Sequence, residues 1–160
     1  MNYIGLNTCD MSNGDGIRVS IFVSGCTLHC KGCFNKESWD FNAGLPYTSE
    51  TENMILKALE DTHVKGLSVL GGEPLEPANL PIVTKLCKRV KDTFGDTKDI
   101  WLWTGHTTKQ VYANAGSILD YVDVIITGPF IEHLKGNYKY YGSRNQKCIW
   151  LHSVGASEET

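Results

Sequence analysis

Ile17-Arg18-Val19-Ser20-Ile21-Phe22-Val23-Ser24 runs directly into Gly25-Cys26-Thr27-Leu28-His29-Cys30-Lys31-Gly32-Cys33-Phe34-Asn35. The first stretch is largely β-branched or apolar and reads as a strand. The second is a polar, turn-rich run with glycines and crowded cysteines, and it reads as a loop. A strand that ends in a cysteine loop is the start of an alternating pattern that continues along the chain.

Downstream, Ser49-Glu50-Thr51-Glu52 has capping-box spacing, and the helix it opens puts Ile55, Ala58 and Leu59 on one face. Gly66 is read as the end of that helix, with Leu67-Ser68-Val69-Leu70 as the next strand, closed by Gly71-Gly72-Glu73-Pro74. Leu80, Val83, Leu86, Cys87, Val90 and Phe94 recur at helical spacing. Ile100 to Trp103 and Val122 to Ile126 read as further strands, with a helix between them that carries Val111 and is capped by Thr107 and Gln110; Lys147 to Leu151 reads as a last strand. Strands alternating with helices predict an α/β fold with right-handed crossovers and a mostly parallel sheet. Ligands bind such sheets beyond the carboxyl ends of the strands. The cysteine loop, Gly71 to Pro74 and Thr104-Gly105-His106 all fall at such ends, so they are expected to converge.

The chain has 160 residues, 41% of them hydrophobic and 21% charged, and a formal net charge of −3. One domain over 1–160 is expected from this length. The charge leaves no electrostatic footprint for nucleic acid or an anionic membrane surface. No apolar run is long enough to span a bilayer, and the start of the chain lacks a basic segment followed by an apolar one. A cytoplasmic location is therefore the expectation, and in a reducing compartment the crowded cysteines point to metal rather than to disulfides.

Cys26, Cys30 and Cys33 are spaced so that each thiolate can take one iron of a cubane cluster. A closed electron-transfer cluster takes four cysteines. Three leave one iron free to chelate a small ligand, as catalytic metals keep an open position. The competing reading of the same residues is a structural zinc held by the three cysteines and His29. At Gly71-Gly72, backbone groups free of Cβ obstruction can approach a ligand, and Glu73 can shape the pocket; a plain strand-to-helix turn is the alternative. Arg18 among apolar neighbours reads either as a partner for a carboxylate of a ligand or of the protein, or as a solvated or structural ion pair. Cys87 belongs to the core, while Cys9 and Cys148 lack metal spacing. Tyr138, Tyr140 and Tyr141, with Lys135, Lys139 and Arg144, read either as a docking surface or as a solvated loop.

Gly25-Cys26-x-x-x-Cys30-x-Gly32-Cys33-Phe34-Asn35 after a strand, together with Asp15-Gly16-Ile17-Arg18 and Gly71-Gly72-Glu73-Pro74, resembles the radical S-adenosylmethionine superfamily. Within it, Trp101 to Gly105 and Gly128-Pro129-Phe130 are similar to the activating proteins of glycyl-radical enzymes. The resemblance covers roughly Met1 to Trp150. It implies a shortened, open (β/α) partial barrel with a [4Fe–4S] cluster on Cys26, Cys30 and Cys33. It implies S-adenosyl-L-methionine bound by Gly71, Gly72 and Glu73, with adenine against the backbone of Gly32, Cys33 and Phe34. The implied partners are the large glycyl-radical subunit of an anaerobic ribonucleoside-triphosphate reductase and a one-electron donor such as a flavodoxin. The alternatives are a radical enzyme for another glycyl-radical protein or a small molecule, or a non-catalytic zinc-stabilised binding module. The chain departs from its relatives in having Gly32 where many members carry an aromatic residue, Asn13 to Gly16 where activases carry Asp-Gly-Pro-Gly, and Thr127 in place of an acidic residue.

Overall fold

A computed structural model describes residues 1–33 and 35–152. Seven strands form one sheet: β1 (Asn2–Asp10), β2 (Ile17–Val23), β3 (Leu45–Pro46), β4 (Val64–Gly71), β5 (Asp99–Trp103), β6 (Val124–Thr127) and β7 (Lys147–Trp150). The helices are α1 (Ser49–Leu59), α2 (Leu80–Phe94) and α3 (Thr108–Asn114). The sheet order is β3-β1-β2-β4-β5-β6-β7. β2, β4, β5 and β6 pair in parallel, whereas β1, β3 and β7 pair antiparallel. The architecture is thus α/β with a mixed sheet whose middle is parallel.

Because the parallel strands follow chain order, same-handed crossovers carry their helices to the same face. Val19, Ile21 and Val23 of β2, Leu67 and Val69 of β4, and Ile100 and Leu102 of β5 pack with Ile55, Leu59, Val83, Leu86 and Val90 from the helices in one aliphatic core. The opposite face carries Arg18, Ser20 and Phe22, then Ser68 and Leu70, then Trp101 and Trp103, in register across neighbouring strands. Loops cover this second face. Ser68 Oγ donates to the Asn13 carbonyl at 2.7 Å, and the Tyr140 hydroxyl donates to Asp15 Oδ1 at 2.7 Å. Trp101 packs there with Val124, Ile126, Trp103, Tyr140 and Trp150.

Four local readings change. The cap of α1 is Thr48, whose extended backbone and reciprocal bonds with Thr51 form the capping box one residue earlier than Ser49 and Glu52 suggested. Glu52 is buried instead, bonded by Tyr47 Oη and Arg89 Nη1. Gly66 lies inside β4 rather than at a helix end, because a Cβ there would stand 2.1 Å from the Asp99 carbonyl and 2.9 Å from Arg18 Nη2. β6 begins at Val124, since Asp123 turns its carboxylate to the Ile100 N–H (2.9 Å) and Lys91 Nζ (2.6 Å). β1 and β3 were not foreseen: β1 is interrupted by two register shifts and half exposed, and β3 is a two-residue edge containing Pro46. No helix among the described residues is long and apolar enough to cross a membrane.

Candidate cluster and ligand site

The three strand-end segments meet. One cavity of about 330 Å³ is lined by Cys26, Cys30 and Cys33, by Gly71, Gly72 and Glu73, and by Thr104 and Gly105. Its volume is at the lower end of the ~300–1,000 Å³ usual for small-molecule sites. Phe22, Leu28, Trp39, Trp103 and Phe130 supply apolar walls, and Asn13, Asn35 and Gln146 supply amides. Gly32 lies in the loop between Cys30 and Cys33 at φ 79°, with Glu132 so close that a Cβ would stand 2.6 Å from Oε2. Phe34 lies outside the described residues. His106 does not line the cavity. His29 is exposed and stacks on Trp39 with centroids 4.2 Å apart, so the imidazole is spoken for by a ring rather than by the thiols.

The cysteine loop is held from two sides. The short 3₁₀ turn Lys36–Trp39 returns to it, and the Gly25 and Cys26 N–H groups donate to the Ser38 and Trp39 carbonyls at 2.7 and 3.1 Å. From the other side, Glu76 Oε2 accepts from the Thr27 N–H at 2.7 Å and from Thr27 Oγ1 at 2.8 Å. Asn79 Nδ2 donates to the carbonyls of Ser24 (2.9 Å) and Glu73 (3.1 Å). Glu76 and Asn79 were not singled out in the sequence. Their one signal was position, within a turn of the Gly-Gly-Glu-Pro segment.

Gly71 to Glu73 serve the sheet as well as the cavity. The Gly72 and Glu73 N–H groups donate to the Val23 and Gly25 carbonyls, both at 2.8 Å. A Cβ on Gly72 would stand 2.6 Å from the Gly25 carbonyl oxygen and 2.8 Å from that of Ser38. Gly72 is therefore demanded by the approach of the cysteine loop and Gly71 by β2, where a Cβ would stand 2.4 Å from Val23 N, and the turn's N–H donors are used inside the protein. Carbonyl oxygens are what this turn has left for a ligand, which suits an ammonium donor. The Glu73 carboxylate is 1% exposed and fully engaged. Its Oε2 accepts from Thr104 Oγ1 (2.6 Å) and the Leu75 N–H (3.0 Å), and its Oε1 from the Gly105 N–H (2.7 Å). Burial raises its pKa above the usual carboxylate value, against those donors. Glu73 thus ties the end of β5 to the end of β4 and shapes the cavity.

Six cysteines are free, and three share this cavity. Burial pushes the Cys26 thiol up; backbone N–H groups of His29 and Leu28 oppose it, and the charges of Glu73 and Glu76 add to it. Burial also raises Cys30, against a backbone bond from Phe130. Metal loading must displace protons from both. The Asn35 N–H donates to Cys33 Sγ at 3.4 Å. Among the described residues, no three His, Cys, Asp or Glu side chains stand close enough to grip a single metal ion. Three thiols around one cavity wall suit a multi-iron cluster, in which each would take a different iron. Cys87 is buried in the aliphatic core, where its thiol is pushed up to about 12, and Cys9 and Cys148 lie away from the cavity. Arg18 is fully buried in an ion pair with Asp99 at 2.6 Å, so its role is structural.

Fold and site together define a class, a small α/β protein that presents cysteines for one iron–sulfur cluster. Residues 12–149 match the family described as a 4Fe-4S single cluster domain. The chain is 44% identical over 149 residues to the anaerobic ribonucleoside-triphosphate reductase-activating protein of Vibrio cholerae serotype O1, covering 91% of this chain and 96% of that protein. The protein of the same description from Pasteurella multocida is 47% identical over 134 residues, 81% of this chain and 84% of its own. That of Enterobacteria phage T4 is 37% identical over 155 residues, 97% of each chain. The chain belongs to this 4Fe–4S family and, within it, to the anaerobic ribonucleoside-triphosphate reductase-activating proteins.

Proposed function

We propose that this chain activates an anaerobic ribonucleoside-triphosphate reductase by generating a glycyl radical on its large subunit. Cys26, Cys30 and Cys33 would hold the [4Fe–4S] cluster, leaving one iron open for S-adenosyl-L-methionine. A cluster held there would supply the one-electron chemistry that cleaves S-adenosyl-L-methionine reductively. The carbonyls of Gly71 and Gly72 would accept from the methionine ammonium, Glu73 holds the turn in place, and the backbone of Gly32 and Cys33 would border the adenine. The apolar walls of Phe22, Leu28, Trp103 and Phe130 keep water from the radical. We assign the electron donor to the flavodoxin class and the site of action to the cytoplasm, with 1–160 acting as one domain.

The observation that carries this reading is the meeting of three free cysteines with Gly71 to Glu73 in one cavity beyond the carboxyl ends of β2, β4 and β5. A shortened, open (β/α) partial barrel is supported by the parallel strands following chain order with their helices on one face. The test is anaerobic reconstitution with iron and sulfide, then mixing with a chemical reductant, S-adenosyl-L-methionine and the reductase. The expected result is brown protein, 5′-deoxyadenosine and a glycyl-radical signal by electron spin resonance. Cleavage without that signal rejects the partner, and a colourless protein holding one zinc rejects the enzyme.

A further inference from the structure

Between His133 and His152 the chain carries Lys135, Lys139, Arg144 and Lys147 and no Asp or Glu, within a protein whose net charge is −3. All four cations are exposed. Between them Tyr138 and Tyr141 stack with centroids 5.3 Å apart, and Tyr138 is 37% exposed. Lys139 Nζ lies 5.2 Å above the Tyr140 ring. Stacked tyrosines among exposed cations are the composition of an interface centre with a steering rim.

This apron is braced. Lys135 bridges Ser143, the Gly136 N–H donates to the Gly142 carbonyl at 3.1 Å, and the Arg144 N–H to the Leu134 carbonyl at 2.9 Å. A braced surface loses little entropy on binding. The apron is also continuous with the cavity wall. Asn145 Nδ2 donates to the Pro129 carbonyl (2.7 Å) and Gln146 Nε2 to the Gly128 carbonyl (3.1 Å). Gly128, Phe130 and Gln146 themselves line the cysteine cavity. A protein docked on the apron therefore sits beside that wall.

We infer that the apron formed by Lys135, Tyr138, Lys139, Tyr141 and Arg144 docks an acidic face of the protein that receives the radical. This rests on the reading given above. The argument for that occupant over an electron donor is position: the radical acceptor has to reach into the cysteine cavity, and the apron adjoins a wall of that cavity through Asn145 and Gln146. Charge supplies the chemistry, since four exposed cations with no ion pair among the described residues, in a net-negative chain, select a negative counter-surface.

The test uses the cluster-loaded full chain and the reductase. The variant K135E/K139E/R144E is expected to bind the reductase at least about tenfold more weakly at low salt. Wild-type affinity should fall steeply with added salt, while the variant's should be flat. Cleavage of S-adenosyl-L-methionine with a chemical reductant and no reductase should be unchanged, and glycyl-radical yield should fall. The neutral set K135A/K139A/R144A should lie between the two, and it decides the matter if charge reversal disturbs the loop. Unchanged affinity in both variants overturns the inference. Unchanged affinity with slower flavodoxin-driven cleavage also overturns it, in favour of the donor. A wild-type protein that binds the reductase but yields no radical instead overturns the activating function and leaves the docking measurement standing.

Discussion

The two faces of the sheet are built on different principles. On the helix-covered face, Val19, Ile21, Val23, Leu67, Val69, Ile100 and Leu102 are all fully buried among aliphatic helix residues. The loop-covered face has a guanidinium, hydroxyls and indoles at the corresponding positions. Arg18 there bonds Asp99 Oδ1, the Leu67 carbonyl and Ser68 Oγ at 2.6 to 2.9 Å, and stands 5.4 Å from the centre of the Trp101 ring. Yet Asp99 Oδ2 and Trp101 Nε1 find no hydrogen-bond partner among the described residues. Burial holds the Asp99 carboxyl above its usual value even with Arg18 beside it. One face therefore gains stability from area, which tolerates small errors, and the other depends on pairs that fail when a partner is lost.

The sharpest way to break this comparison is Arg18→Ala. It leaves Asp99 buried without its cation and should cost about 3–5 kcal/mol, read as a shift of the denaturation midpoint. Leu86→Ala, in the aliphatic core at 1% exposure, should cost about 2–5 kcal/mol, set by how far the core collapses around the gap. The two differ in what restores them. Leu86→Met should recover most of the loss, because volume and apolarity suffice there. Arg18→Lys should recover little, because one ammonium cannot replace a planar fork that reaches Ser68, Leu67, Asp99 and the Asp15 carbonyl together. If Arg18→Lys is as stable as the parent, the two faces do not differ in kind.

The same contrast explains what could be read from sequence. The aliphatic face announces itself by period: Leu80, Val83, Leu86, Cys87 and Val90 fall on one side of a helix, and α2 runs from Leu80 to Phe94 as that spacing requires. Thr107 and Gln110 likewise cap α3 as their spacing predicts. The cysteine loop, Gly71 to Pro74 and Thr104-Gly105 could be expected to converge, because the carboxyl ends of parallel strands lie at one end of a sheet. The clamp on that loop was not legible. Glu76 reaches Thr27 across 49 residues of chain, and Glu73 reaches Thr104 across 31, and no local pattern encodes such a meeting. β1 was missed for a related reason: its exposed Asn7-Thr8-Cys9 stretch breaks the alternation that marks a strand.

Glu76→Ala carries the comparison to the cavity. It removes the acceptor of two Thr27 donors at the cysteine loop and should cost about 1–2 kcal/mol of stability. Its larger consequence should be local: loss of iron to a chelator severalfold faster than in the parent, because Thr27 follows Cys26 directly. Glu76→Gln keeps an acceptor oxygen and should restore most of that retention. Equal iron loss in parent and alanine variant would show that the 3₁₀ turn at Lys36–Trp39 and the Asn79 bond to Ser24 hold the loop without Glu76.

Thr107→Ala is the smallest effect and the necessary counterpart. Thr107 caps α3 through the Gln110 N–H at 3.2 Å, and its own N–H donates to Gln110 Oε1 at 2.8 Å. Removing the hydroxyl should cost about 0.5–1 kcal/mol. The residue lies three beyond Thr104, so it is near the cavity in sequence, but its bonds belong to a helix that packs Val111 into the aliphatic core. Iron retention should therefore be unchanged at the temperature where Glu76→Ala leaks. A cap that is worth nearly as much stability as the clamp, yet does not move the cluster, would show that loop retention follows the specific contact to Thr27 rather than global stability. If both variants leak iron in proportion to their lost stability, local opening at the cysteine loop is the same event as global unfolding.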